Sequence, residues 1–188
     1  MKKIIISLAT LAAMASGAEA HVGGGHVQGF LHGFMHPIGG MDHVLAMLAV
    51  GLFAAVLGGR ARWAVPMSFV AMMVVGGAVG ISGFSVPFVE VGIALSVLVL
   101  GAMVALQTKL PVAIASALVG VFAVFHGVAH GAEMPVDVSG VQYALGFVAA
   151  TAVLHGVGLA IGFSMTRFAK LGGIAIAAAG LGLVTGWL

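Results

Sequence analysis

Cysteine is absent from the 188 residues. No disulfide can form and no thiolate can bind a metal, so metal ligands are confined to His, Asp, Glu, Met and backbone oxygens. Charge is nearly absent as well. Only 6% of residues are Asp, Glu, Lys or Arg, against about 25% in ordinary domains. So few charges cannot solvate the surface of a soluble fold, and that class is excluded. No basic patch interleaved with aromatics occurs, so the net charge of +2 and the pI near 9.4 do not point to nucleic acid. No nucleotide-binding motif occurs either, which leaves a gradient or a separate partner as the energy source for any transport. What fills the chain instead is apolar: 62% hydrophobic residues, with a mean hydropathy of +1.24. That composition predicts an all-α, polytopic integral membrane protein. The 30 glycines suit it, because small residues let membrane helices approach closely. Eight histidines against five acidic residues point toward metal or proton chemistry.

Residues 1–20 read as a secretory signal peptide. Lys2 and Lys3 form the basic start, Ile4 to Met14 the apolar core, and Ala18-Glu19-Ala20 the small-x-small cleavage pattern. The mature chain, 21–188, would begin at His21 outside the cytoplasm. Residues 21–32 read as a polar, glycine-rich lead-in carrying His21, His26 and His32. An N-terminal His21 offers its α-amine and imidazole together as a chelate. A membrane helix needs about 20 apolar residues, and six spans fit the rest. They run roughly over 33 or 42 to 57 (regular from 41), 64–82, 88–106, 111–130, 141–165 and 171–188. Pro37 with Gly39 and Gly40 predicts a broken or re-entrant opening to the first span. Pro66 is placed in the first turn of the second. Arg60, Arg62, Lys109, Arg167 and Lys170 all fall in alternate loops. The positive-inside rule then makes those loops cytoplasmic and both mature termini periplasmic, in a bacterial inner membrane.

Two polar clusters stand out against this background. One is His36-Pro-Ile-Gly-Gly-Met-Asp42-His43, at the outer end of span one. The other is Phe125-His126-Gly-Val-Ala-His130-Gly-Ala-Glu133, at the outer end of span four. Ionisable groups in a membrane helix are functional by default. His126, His130 and Glu133 follow i, i+4, i+7 spacing and share one helix face. Gly127 and Gly131 allow another helix close beside them. Imidazole with carboxylate suits Ni²⁺, Zn²⁺, Co²⁺ or Fe²⁺; the methionines do not cluster near the histidines beyond Met35, Met41 and Met47, so copper(I) is not indicated. The two clusters are expected to meet around one divalent ion. His155, deeper in span five, is either a transit ligand or a histidine bonded to a backbone carbonyl. Glu90, at the start of span three, is expected to be structural.

His36-x5-Asp42-His43 resembles the first-helix signature of the HupE/UreJ family of nickel permeases, and FHGVAHGAE over 125–133 is similar to its second motif. The order, the size, the signal peptide and the six spans extend the resemblance over nearly the whole chain. It implies nickel import, with cobalt for some members, and carries over His36, Asp42, His43, His126, His130 and Glu133 as metal-binding or transport-essential. The His21, His26, His32 lead-in is carried over less firmly. The resulting expectation is a non-enzymatic permease for Ni²⁺, with Co²⁺ or Zn²⁺ as alternatives; its partners are the metal ion and the lipid bilayer. Two other readings stay open: an intramembrane zinc-dependent hydrolase, and a haem-binding electron carrier. The second would set paired histidines deep and opposite one another, whereas these cluster on one side beside carboxylates.

Overall fold

The computed structural model describes residues 25–134, 139–164 and 166–188, excluding the side chains of 25–28 and 166. The expected signal peptide and the expected ligand at His21 lie outside the described residues, as does the side chain of His26. Among the described residues there are seven helices and no strand: α1 (Gly25–Gly39), α2 (Met41–Leu57), α3 (Ala61–Ile81), α4 (Val89–Ala105), α5 (Val112–Ala132), α6 (Gly140–Ser164) and α7 (Thr166–Thr185).

A helix stands at each of the six expected spans. By length and apolarity α3, α5, α6 and α7 are each able to cross a membrane. α1 and α2 pass that test only as a pair, bent by 84° at Gly40. α4 is apolar but has 17 residues, about 25 Å at 1.5 Å per residue. The break at Gly40 is where the Pro37-Gly39-Gly40 pattern puts it. Two expectations need correction. The lead-in is not loop as far as His32, because helix α1 already starts at Gly25. Where α1 meets α6, glycine lets the backbones close up: a Cβ on Gly33 would strike the backbone of Tyr143, and one on Gly146 of α6 that of Phe30. Tertiary packing thus overrides the poor helix propensity of glycine. Pro66 is also not in a first turn. The turn at Gly58 (φ 73°) and Gly59 (φ 52°) is so tight that α3 begins at Ala61, which puts Pro66 in the second turn.

Helix α2 is the centre of the bundle and touches each of the other six. Ala46, Met47, Ala49, Val50, Phe53 and Ala54 are all fully buried. A helix apolar on every side belongs inside, and this one has no lipid-facing stripe. Around it, α3 packs most closely on α5, and α4 on α7. Glycines on both partners make the α3–α5 approach possible. A Cβ at Gly76 or Gly80 would meet the backbone of Val124 or Val128, and one at Gly127 or Gly131 that of Met73 or Gly77. This is the small-x-x-x-small logic of membrane helices. The outward-facing side chains, among them Met67, Val74, Val121 and Leu145, are apolar and exposed, as a lipid-facing surface requires.

Charge separates by end. The carboxylates of Asp42 and Glu90 lie in first turns of α2 and α4, and Glu133 caps α5; these three ends face one way. At the opposite end Lys109 Nζ donates to the Val56 carbonyl near the end of α2. There too Arg62 lies over the Phe163 ring at 4.2 Å.

Candidate metal centre

The 84° break decides what can meet. His36 is in the last turn of α1, and Asp42 and His43 are in the first turn of α2. Turning the chain through that near right angle at Gly40 brings both beside the C-terminal end of α5. There the helix geometry persists to Glu133 (φ −90°, ψ −1°), whose N–H bonds to Ala129 O, so His126, His130 and Glu133 do share a face. His36 Nε2 lies 3.2 Å from Glu133 Oε2. Ligand atoms of His36, His130 and Glu133 all fall within 4.8 Å of one another. Two ligands about 2.1 Å from one tetrahedral ion sit roughly 3.4 Å apart, so the hydrogen-bonded His36–Glu133 pair could take up a shared ion with little movement. Glu133 is the exposed member of this set and His130 the buried one. Both border a polar cleft of about 520 Å³ that is also lined by His32, Asp42 and His43.

Inward from this mouth the imidazoles follow one another. The His36 and His130 ring centroids are 4.9 Å apart, His130 and His43 4.2 Å, and His43 and His126 4.9 Å. Phe69 of α3 continues the line, 5.6 Å from His126 and 5.1 Å from His155. Thr151, one turn before His155, is fully buried and directs its hydroxyl at Met73 Sδ, 3.8 Å away. Phe147 closes the far side of His130 at 4.1 Å.

Hydrogen bonds tell which imidazole atoms are spoken for. Asp42 Oδ1 accepts the His43 backbone N–H at 2.8 Å and the ring Nδ1–H at 2.7 Å. An ionised carboxylate only accepts, so the proton sits on Nδ1 and His43 Nε2 is bare. Asp42 is therefore tied to His43; its observed bonds orient the neighbouring ligand, as the outer carboxylate of a carboxylate–histidine–metal set does. His126 Nε2 lies 2.9 Å from Ser96 Oγ of α4. The remaining nitrogens, His43 Nε2, His126 Nδ1, and both of His130 and of His155, are buried with no hydrogen-bond partner. Buried polar atoms are normally satisfied, and each exception asks for an explanation such as an ion. These six nitrogens belong to four imidazoles, and since a neutral ring carries one N–H and one lone pair, the four could offer a cation one donor each.

The structure thus gathers His36, Asp42, His43, His126, His130 and Glu133, with His32 exposed on the cleft rim. His155 stands at the inner end and is bonded to no carbonyl. Glu90 is apart and exposed, in the first turn of α4 where the helix dipole favours a carboxylate. Sequence reasoning missed Ser96 and Phe69. A hydroxyl inside an otherwise apolar helix was the available signal for Ser96; a phenylalanine among eleven gave none.

Comparison with known proteins gives the family. The model of the family described as HupE / UreJ protein matches residues 8–186. A relative, "Protein HupE" from Rhizobium leguminosarum bv. viciae, is 47% identical over 191 residues, covering 98% of each chain. No solved structure matches. With both histidine motifs folded onto one cluster and a match running nearly end to end, the chain belongs to the HupE/UreJ family.

Proposed function

We propose that this membrane protein is a permease that carries a divalent transition-metal ion, Ni²⁺ foremost, from the periplasm into the cytoplasm through the histidine line. The observation that carries the reading is the row of buried, unpartnered imidazole nitrogens behind a carboxylate-bearing mouth. In this reading the chain crosses the inner membrane six times, with α1 as the half-helix that opens the first span. The basic end faces the cytoplasm and the His36–Glu133 mouth faces the periplasm.

The ion is captured by His36, His130 and Glu133, with His32, His26 and His21 collecting it beforehand. It passes to His43 and His126, and on to His155 beyond Phe69. Neutral imidazoles do not trap it. One carboxylate at the mouth and Asp42 behind His43 offset its charge outside, and fewer charges meet it further in, so coordination loosens inward. Ni²⁺ fits a nitrogen-rich set with few oxygens; Co²⁺ and Zn²⁺ share that preference, and a thiolate-dependent cargo does not. A zinc hydrolase would gather three protein ligands around one open position beside a carboxylate base. Here a three-ligand set does stand at the mouth, but the imidazoles continue inward from it in a line, which favours passage.

Whole-cell uptake of radiolabelled nickel, with unlabelled cobalt or zinc as competitor, tests this. Cells bearing the protein should accumulate nickel above vector controls, and the stronger competitor ranks the second cargo. No accumulation of any of the three ions at verified membrane levels would overturn the reading.

A further inference from the structure

We propose that Ser96, on α4, is a positioning residue of the path: it holds His126 as the tautomer whose Nδ1 is free to meet the ion. This rests on the permease reading for its purpose, but not for its chemistry. Ser96 Oγ is 2.6 Å from the Ile93 carbonyl and 2.9 Å from His126 Nε2. A carbonyl can only accept, so the single hydroxyl proton goes to Ile93 O. The hydroxyl then has only lone pairs to offer His126. Nε2 must bring the proton to that contact. A neutral imidazole has one N–H, so Nδ1 is bare.

That atom is buried and has no hydrogen-bond partner among the described residues. The other tautomer would set lone pair against lone pair at Ser96 and leave an N–H at Nδ1 with no acceptor. Ser96 and His126 are both fully buried, so bulk water does not repair either fault. The device repeats what Asp42 does for His43, from a different helix and for the opposite nitrogen. Outer partners of this kind fix ring orientation and raise ligand basicity. A neutral hydroxyl raises it less than a carboxylate. The grip on the ion is therefore weaker at His126 than at His43, which is the direction inward passage needs.

The test has two arms on the full-length protein. In ¹⁵N-histidine-labelled protein in nanodiscs, without metal, His126 is assigned by its loss in His126→Gln. It should show the Nε2–H tautomer in the wild type and a shift toward Nδ1–H or a mixture in Ser96→Ala. An Nδ1–H wild type, or an unchanged tautomer in Ser96→Ala, overturns the proposal. In cells at matched membrane levels, Ser96→Ala should raise the nickel KM about 10-fold, and Ser96→Thr, which keeps the hydroxyl, should restore it. A wild-type KM in Ser96→Ala, where His126→Gln is impaired, also overturns it. Normal uptake in His126→Gln would instead sink the permease path through His126, while the tautomer arm still decides Ser96.

Discussion

At His43 and Asp42 the chemistry is decided by two adjacent residues. Asp42 takes both the ring and the backbone N–H of His43 on one oxygen, so replacing it removes an orienting partner. Asp42→Asn, nearly isosteric, should cut nickel uptake about 10–100-fold at unchanged protein level, with the loss read as a raised KM. A variant with wild-type kinetics would return His43 to a packing role. Glu133→Gln, at the exposed mouth, should raise KM with little change in maximal rate, because capture is weakened and the inner imidazoles are intact. The second histidine motif was legible from spacing, since i, i+4, i+7 on a helix leaves one outcome for 126, 130 and 133; the first was legible only as ionisable groups at the head of an apolar run. The distinction between Asp42 as ligand and Asp42 as orienter was not. It depends on a 2.7 Å bond that either reading of the sequence allows. Ser96 was illegible for a related reason: a helical serine bonds its own i−3 carbonyl by default, and only the fold shows that its lone pairs face His126.

At the scale of elements, the break between α1 and α2 joins two adjacent glycines with opposite duties. Nothing lies within 4 Å of a Cβ placed on Gly39, whereas one on Gly40 would sit 2.8 Å from Asp42 Oδ1 and 2.9 Å from His43 Nδ1. Gly39→Ala should therefore leave uptake intact and stabilise α1 by up to about 1 kcal/mol. Gly40→Ala should push the Asp42–His43 pair apart and lower uptake while the protein still reaches the membrane. Paired uptake and thermal melts check both. The glycines of α5 act on the fold instead. Gly127→Val drives side-chain atoms into the backbone of Met73 and should cost about 1–3 kcal/mol, seen as a lower Tm and less protein. The bend was legible from Pro37 and Gly40. Helix α1 was not, because glycine in a polar segment signals flexibility unless a partner helix is known, and here that partner is α6, more than 100 residues away.

For the whole molecule the governing feature is polarity of charge. Among the described residues, basic side chains hold one end, carboxylates and imidazoles the other, with an apolar girdle between. Segment number and hydropathy made the bundle legible; its centre was not, because α2 looks no more apolar than its neighbours and only packing shows it touching every other helix. In a chain with no cysteine, single probes report sidedness cleanly. Ser85→Cys should react with a membrane-impermeant maleimide in intact cells with a permeable outer membrane, and Arg60→Cys only after the inner membrane is opened. The reverse pattern would invert the orientation.

The most direct test of the central claim, that the ion travels along the imidazole line, is radiolabelled nickel uptake by cells carrying His130→Ala at wild-type membrane level. His130 joins the mouth to His43 and has both nitrogens unpartnered. Loss of uptake to the vector background is predicted; uptake at the wild-type rate would contradict the account.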